Sequence, residues 1–146
     1  MSALAPTSGY SGTPLAQKLG LKDGQRVLFV NLPQSLYDLR VARHFIEMAQ
    51  AGWQSFTDGD PGYDVIHGFT TERAELEQAA KPLMDSIDRD GLIWISWPKK
   101  ASKVATDITE DVIREVVLPI GLVDVKVCAV DEVWSGLKLV IRKELR

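Results

Sequence analysis

The sequence predicts an alternating α/β fold: a mostly parallel sheet with helices on both faces, closed by a C-terminal antiparallel hairpin. Three observations predict it. Strand-like apolar runs alternate with segments whose apolar residues recur at helical spacing. The run at residues 92–97, Leu-Ile-Trp-Ile-Ser-Trp, is almost continuously apolar, as in a strand buried on both faces. The last two runs, residues 123–130 and 137–143, alternate with period two. Only residues 131–136 separate them, too few for a parallel crossover.

Composition narrows the function classes. A chain of 146 residues is the size of one domain and buries roughly two-thirds of its unfolded surface. With 45% hydrophobic and 25% charged residues it predicts a packed core, not disorder. A net charge of -3 gives no global basic field, so neither nucleic acid nor an anionic membrane is an expected partner. No apolar run reaches the ~20 residues of a spanning helix. The first residues also lack the basic and apolar regions of a signal peptide. The expected location is cytoplasmic. The single cysteine, Cys128, excludes an internal disulfide and a Cys-rich zinc site. In a predicted strand it reads as a small buried thiol and not a reactive one.

Each element has its own signal. Residues 1–12, rich in Ser, Gly, Ala and Pro, predict a mobile arm, and residues 13–146 a single domain. Thr13-Pro14 reads as an N-cap followed by proline at the first helical position, opening a short helix that Gly20 ends. A turn at Lys22-Asp23-Gly24 leads into a strand over 26–31. Leu36, Leu39, Ala42, Phe45, Ile46 and Ala49 predict a helix from Ser35 that stops before Gly52. Residues 53–57 predict a short edge strand and residues 58–62 a turn, leaving a free sheet edge beside the first strand. A strand over 63–69 runs into a helix opened by Thr70-Thr71. That helix buries Leu76, Ala79, Ala80, Leu83, Met84 and Ile87, with Pro82 inside it removing one hydrogen bond. Residues 88–91 form the return turn. After the loop at 98–106, Asp107 and Glu110 have capping-box spacing, at the start of a helix over 108–118 that buries Val112, Ile113, Val116 and Val117. Pro119 and Gly121 terminate it.

These elements make a three-layer Rossmann-like domain, and they resemble the S-adenosylmethionine-dependent methyltransferase fold, which also ends in such a hairpin but normally has more strands. The resemblance admits S-adenosylmethionine as cofactor, but its glycine-rich motif is absent, and the sequence leaves the cofactor unknown. The first strand runs into Asn31-Leu32-Pro33-Gln34, and no glycine lies between Gln25 and Gly52. Asn31 to Gln34 also lacks the aromatic partner of the Asn/Asp-Pro-Pro-Tyr motif. Asp58 or Asp60 could stand in for the carboxylate that grips a ribose, although their setting also reads as a turn.

Ligands of open parallel sheets sit beyond the carboxyl ends of the strands. That places Asn31, Thr70, Thr71, Trp97, Lys99 and Lys100 around one crevice. Lys99 and Lys100 share a loop with Lys103, and a helix start at Thr70-Thr71 would add free N–H groups. Together they suit an anionic small molecule bearing phosphate or carboxylate. The structural alternative is a solvated basic loop. Asp107, Glu110 and Asp111 read as capping groups or as acid–base or metal-binding carboxylates. His44 and His67 share no metal-ligand spacing, so no metal site is predicted. His67 is a hydrogen-bonded core histidine or a base. No serine lies in a nucleophile elbow and no P-loop is present. Trp97 lines the crevice or packs in the core. Trp134 is an exposed interface anchor for a protein partner or folds back over the sheet.

Residues 9–20, Trp97-Pro-Lys-Lys-Ala101, Thr106-Asp-Ile-Thr-Glu-Asp-Val112 and residues 121–138 resemble the bacterial domain-of-unknown-function family 3052. The resemblance implies a short cytoplasmic protein and supplies no catalytic residues. Two functional readings follow. One is a non-catalytic ligand-binding or regulatory adaptor domain that kept the fold and lost the cofactor. The other is a divergent methyltransferase-like enzyme, or a binder of an anionic small molecule, using the carboxyl ends of the parallel strands.

Overall fold

Six strands form one sheet: β1 (Arg26–Val30), β2 (Glu47–Ala51), β3 (Tyr63–Phe69), β4 (Ile87–Pro98), β5 (Leu122–Ala129) and β6 (Trp134–Ile141). They come from a computed structural model that describes residues 14–55 and 62–146. The predicted arm, the N-cap at Thr13, and Asp58 and Asp60 lie outside the described residues. The strand order is β2-β1-β3-β4-β6-β5. β1 pairs in parallel with β2 and β3, and β3 in parallel with β4. β6 runs antiparallel to both β4 and β5. The parallel sheet and its closing hairpin are therefore as the sequence predicts.

Strand alternation sends successive side chains to opposite faces. Val27, Phe29, Val65, Phe69 and Trp94 share one core with Leu19, Leu21, Leu36 and Leu39. Leu28, Val30, Ile66, Ile93 and Ile95 pack on the other face against Leu76, Leu83, Ile113 and Val117. The second face is covered by α2 (Arg73–Ser86) and α3 (Glu110–Val117). The first has only α1 (Leu15–Lys18) and a 3-10 helix at Gln34–Val41.

That 3-10 helix is the main departure from expectation. The helix predicted from Ser35 stops at Val41, having buried Leu36 and Leu39, three residues apart as the tighter helix requires. The remainder of the apolar pattern becomes β2, laid along β1. Tertiary hydrogen bonds decide it. His44 N–H donates to Asp23 Oδ1 at 2.8 Å and Ile46 N–H to the Gln25 carbonyl at 2.9 Å. β2 then satisfies the outer backbone groups of β1, and Ile46 is left 77% exposed. The edge strand expected over 53–57 thus lies earlier in the chain, and residues 53–55 form a turn. β1 is not beside a free edge; the sheet ends at β2 and β5.

Smaller departures have similar causes. The chain enters β4 directly at Ile87. Residues 88–91 are a bulge between the Tyr63–Ile87 and Val65–Leu92 pairs, not a free turn. Thr109, not Asp107, caps α3: its hydroxyl accepts from Val112 N–H at 3.1 Å. Asp107 instead accepts from Arg73 N–H at 2.7 Å, capping α2. Glu110, Asp111 and Asp124 all pair with Arg114, and the hydrogen bonds to Asp124 and Glu110 hold its guanidinium more firmly protonated. In β5 a register shift between Asp124 and Lys126 breaks the predicted alternation, leaving Val125 and Val127 exposed. Cys128 is buried as expected, and burial pushes its thiol pKa up.

Gly121 ends the turn after α3 with φ of +116°, where an added Cβ would lie 2.5 Å from Leu145 Cδ1 and 3.0 Å from Met84 Cε. Gly121→Ala should cost about 1–3 kcal/mol, seen as a lower urea midpoint at unchanged slope.

Candidate functional site

The chain leaves β1 for β2 on one side of it, then returns to place β3 on the other. The carboxyl ends of β1 and β3 therefore flank the switch point where open sheets bind ligands. At the end of β1, Asn31 adopts φ of +59°. Asparagine tolerates this left-handed conformation, so the turn forms without a glycine. The Asn31 N–H donates to the Ala51 carbonyl at 2.8 Å, joining the ends of β1 and β2. Its side-chain amide donates to the Phe69 carbonyl at 3.4 Å.

Trp53 is the central residue here, and the sequence reading did not single it out. Its indole N–H donates to the same Phe69 carbonyl at 2.7 Å. The ring lies over Gly68, where an added Cβ would sit 2.7 Å from Trp53 Cη2. Glycine at 68 is what lets the indole approach β3. No local signal marks Trp53, because its importance comes from the distant backbone it covers.

Two adjoining cavities open beside this indole. The larger, of 580 Å³, runs along α2 past Glu72, Glu75, Gln78 and Pro82. The smaller, of 300 Å³, reaches Asn31 and Ser55. Both are lined by Trp53, Gln54 and Glu75. Thr70 is buried just behind. Its N–H donates to the Ser96 carbonyl at 3.0 Å, and its hydroxyl donates to Glu75 Oε1 at 2.9 Å while accepting from Glu72 N–H at 3.1 Å. A buried threonine thus orients a carboxylate shared by both cavities.

The other predicted site residues are dispersed. Asn31 lines the smaller cavity, whereas Thr70, Thr71, Trp97, Lys99 and Lys100 line neither. The Thr71 carbonyl accepts from Thr106 Oγ1 at 2.7 Å and from Asp107 N–H at 3.3 Å. Trp97 does not face a crevice. It is 9% exposed, in the core beneath α2 and α3, because β4 is covered on both faces. Lys99 N–H donates to the Val133 carbonyl at 2.7 Å, tying the basic loop to the hairpin turn. Two of the N–H groups at the start of α2 are engaged: Glu72 N–H with Thr70 and Arg73 N–H with Asp107. Trp134 is half-buried, its ring edge-on to Phe69 with centroids 5.3 Å apart, so it folds back over the sheet.

His67 lies on the opposite face of β3 from Gly68. It is 1% exposed, stacks on Phe69 at a centroid distance of 4.2 Å and has Nε2 2.7 Å from Ser96 Oγ. Burial lowers its pKa to about 3, so the imidazole is neutral at physiological pH. This is the core-histidine arrangement.

Neither a family model nor a curated protein matches this sequence. Solved structures do. The N-methyltransferase NodS from Bradyrhizobium japonicum WM9, in complex with S-adenosyl-L-homocysteine, is 12% identical, with a TM-score of 0.59 over 90% of this chain and 89% of that one. A TehB-like S-adenosylmethionine-dependent methyltransferase from Corynebacterium glutamicum is 12% identical, with a TM-score of 0.55 over 88% and 85%. The CcbJ methyltransferase from Streptomyces caelestis is 9% identical, with a TM-score of 0.57 over 88% and 87%. Together with the mixed sheet and its closing hairpin, these likenesses show a Rossmann-like fold of the methyltransferase type.

Two outcomes follow from this geometry. Gly68→Ala should push the Trp53 ring off β3, moving the indole N–H resonance and costing about 1–3 kcal/mol in urea unfolding. For His67, the unfolded side chain takes up a proton near pH 6.5 but the folded one only near pH 3. Stability is therefore full above pH 6.5 and is lost as pH falls toward 3. The loss between pH 7 and 5 should be about 2 kcal/mol from this group, and His67→Gln should flatten that slope.

Proposed function

We propose that this chain is a divergent methyltransferase-like domain that binds a small molecule at the carboxyl ends of β1 and β3, in the cleft between Trp53 and α2. The observation that carries the reading is the joined pair of cavities at the switch point, both walled by Trp53, Gln54 and Glu75. The likeness to methyltransferases supports it better than a purely non-catalytic adaptor role. Membership of the bacterial domain-of-unknown-function family 3052, with its cytoplasmic setting, belongs to the same reading and rests on the resembling segments.

The described residues do not fit S-adenosylmethionine in the way a glycine loop and a ribose-gripping carboxylate would. The Asn31 N–H is spent on the Ala51 carbonyl, and the Trp53 ring covers Gly68. β2 ends at Ala51, Gly52 to Ser55 carry no carboxylate, and the two sequence candidates for the ribose-gripping group, Asp58 and Asp60, lie outside the described residues. No methyl-transfer step is assigned to these residues. What they can do is hold a ligand between an aromatic wall and a polar helix face, with Glu75 held in place by Thr70.

A thermal-shift panel tests the reading: S-adenosylmethionine, S-adenosylhomocysteine, adenine and nicotinamide nucleotides, phosphorylated metabolites and small amines. A ligand at about one hundred times its Kd adds ~2.7 kcal/mol, a rise of several degrees for a domain this size. Trp53→Ala should abolish the rise. A panel with no shift would overturn the reading. So would a shift that survives Trp53→Ala and disappears in the Lys99→Ala/Lys100→Ala variant, which would move the site to the basic loop and an anionic ligand.

A further inference from the structure

The charge lining the cleft is one-sided. Among the described residues lining the two cavities the ionisable side chains are Glu72 and Glu75, with no lysine, arginine or histidine. Elsewhere, acidic groups near α2 and α3 are paired: Glu77 and Glu115 with Arg73, Asp85 with Lys81, and Glu110, Asp111 and Asp124 with Arg114. Glu72 and Glu75 have no ion-pair partner among the described residues. A carboxylate in the first turn of α2 would serve the helix dipole by position alone. Glu75 differs because it lines both cavities beside the Trp53 indole. One of its oxygens takes the Thr70 hydroxyl, and the other has no donor among the described residues.

We propose that the cleft takes a protonated organic amine, with its ammonium against Glu75 and its apolar or flat body along Trp53, Ala79 and Pro82. The proposal rests on reading the cleft as a small-molecule site. An ammonium supplies the donors the outer carboxylate oxygen lacks, and charge assistance strengthens those hydrogen bonds. The face of an indole attracts cations as well. Gln54 and Gln78 offer neutral amide partners, while Ala79 and Pro82 provide apolar surface. An anion of the same shape would meet two carboxylates and no side-chain cation among the described lining residues.

The test is a charge series of one shape, benzylamine, benzoate and benzyl alcohol, titrated into the isotope-labelled full chain and followed by NMR. Benzylamine should move the Trp53 indole N–H and the Gln78 amide, and benzoate should not. Glu75→Gln, which keeps an oxygen for the Thr70 hydroxyl, should weaken benzylamine roughly tenfold. Glu77→Gln, outside the cavities, should leave it unchanged. Equal shifts from benzoate or benzyl alcohol would overturn the amine assignment while leaving the cleft as a small-molecule site. Benzylamine binding unaltered by Glu75→Gln would do the same. If no probe reached these resonances, the amine proposal and the cleft reading would fail together.

Discussion

The backbone pairing of β4 is the constraint on which the rest of this structure depends. β4 bonds in parallel to β3 on one side and antiparallel to β6 on the other. Residues 93–98 are buried, so every N–H and C=O there must find a partner within the sheet. That need is met only if the hairpin turns back and inserts β6 beside β4, leaving β5 at the edge. The same strand anchors both layers. The Trp94 indole N–H donates to the Leu19 carbonyl at 2.8 Å, fixing the chain after α1 on one face. Ile93, Ile95 and Trp97 meet α2 and α3 on the other.

The candidate site inherits its geometry from that pairing. Where β3 stops against β4, Thr70 N–H takes the Ser96 carbonyl. This sets the height of Gly68, of the Phe69 carbonyl and of the Thr70 hydroxyl. Trp53 then lies over the first and bonds the second, while Glu75 is held by the third. A ladder of main-chain hydrogen bonds is thus converted, in three short steps, into the position of an aromatic ring and a carboxylate. Such backbone-anchored placement is stiffer than placement by loops alone.

The two faces divide the work unequally. The side bearing α2 and α3 has thick apolar cover, and the cleft opens at its end. The thinner side, under α1 and the 3-10 helix, holds the His67–Ser96 pair, whose short hydrogen bond offsets part of the cost of burying two polar groups. Surface charge follows a similar division. Arg73 and Arg114 gather the carboxylates around α3, interactions worth little individually because they are exposed. Glu72 and Glu75 at the cleft have no ion-pair partner among the described residues.

The sequence by itself determined the elements whose burial is written in local periodicity. β3 at Tyr63–Phe69, the apolar centre of β4, the core residues Leu76, Ala79, Ala80 and Leu83 of α2, and the closing hairpin were all legible. Each needs only its own residues to declare which faces are covered. It also pointed to the carboxyl ends of the strands, where the two cavities open, and to Asn31, which lines the smaller one. Tertiary structure alone decided the rest. Whether Glu47–Ala51 coils or extends depends on the open flank of β1, which no local pattern reports. Asp107 caps a helix 34 positions earlier in the chain rather than its own, and Trp53 matters through a carbonyl 16 positions away. A residue's pattern tells which side of it is buried. Which distant backbone group it satisfies is settled only when the strands are in register.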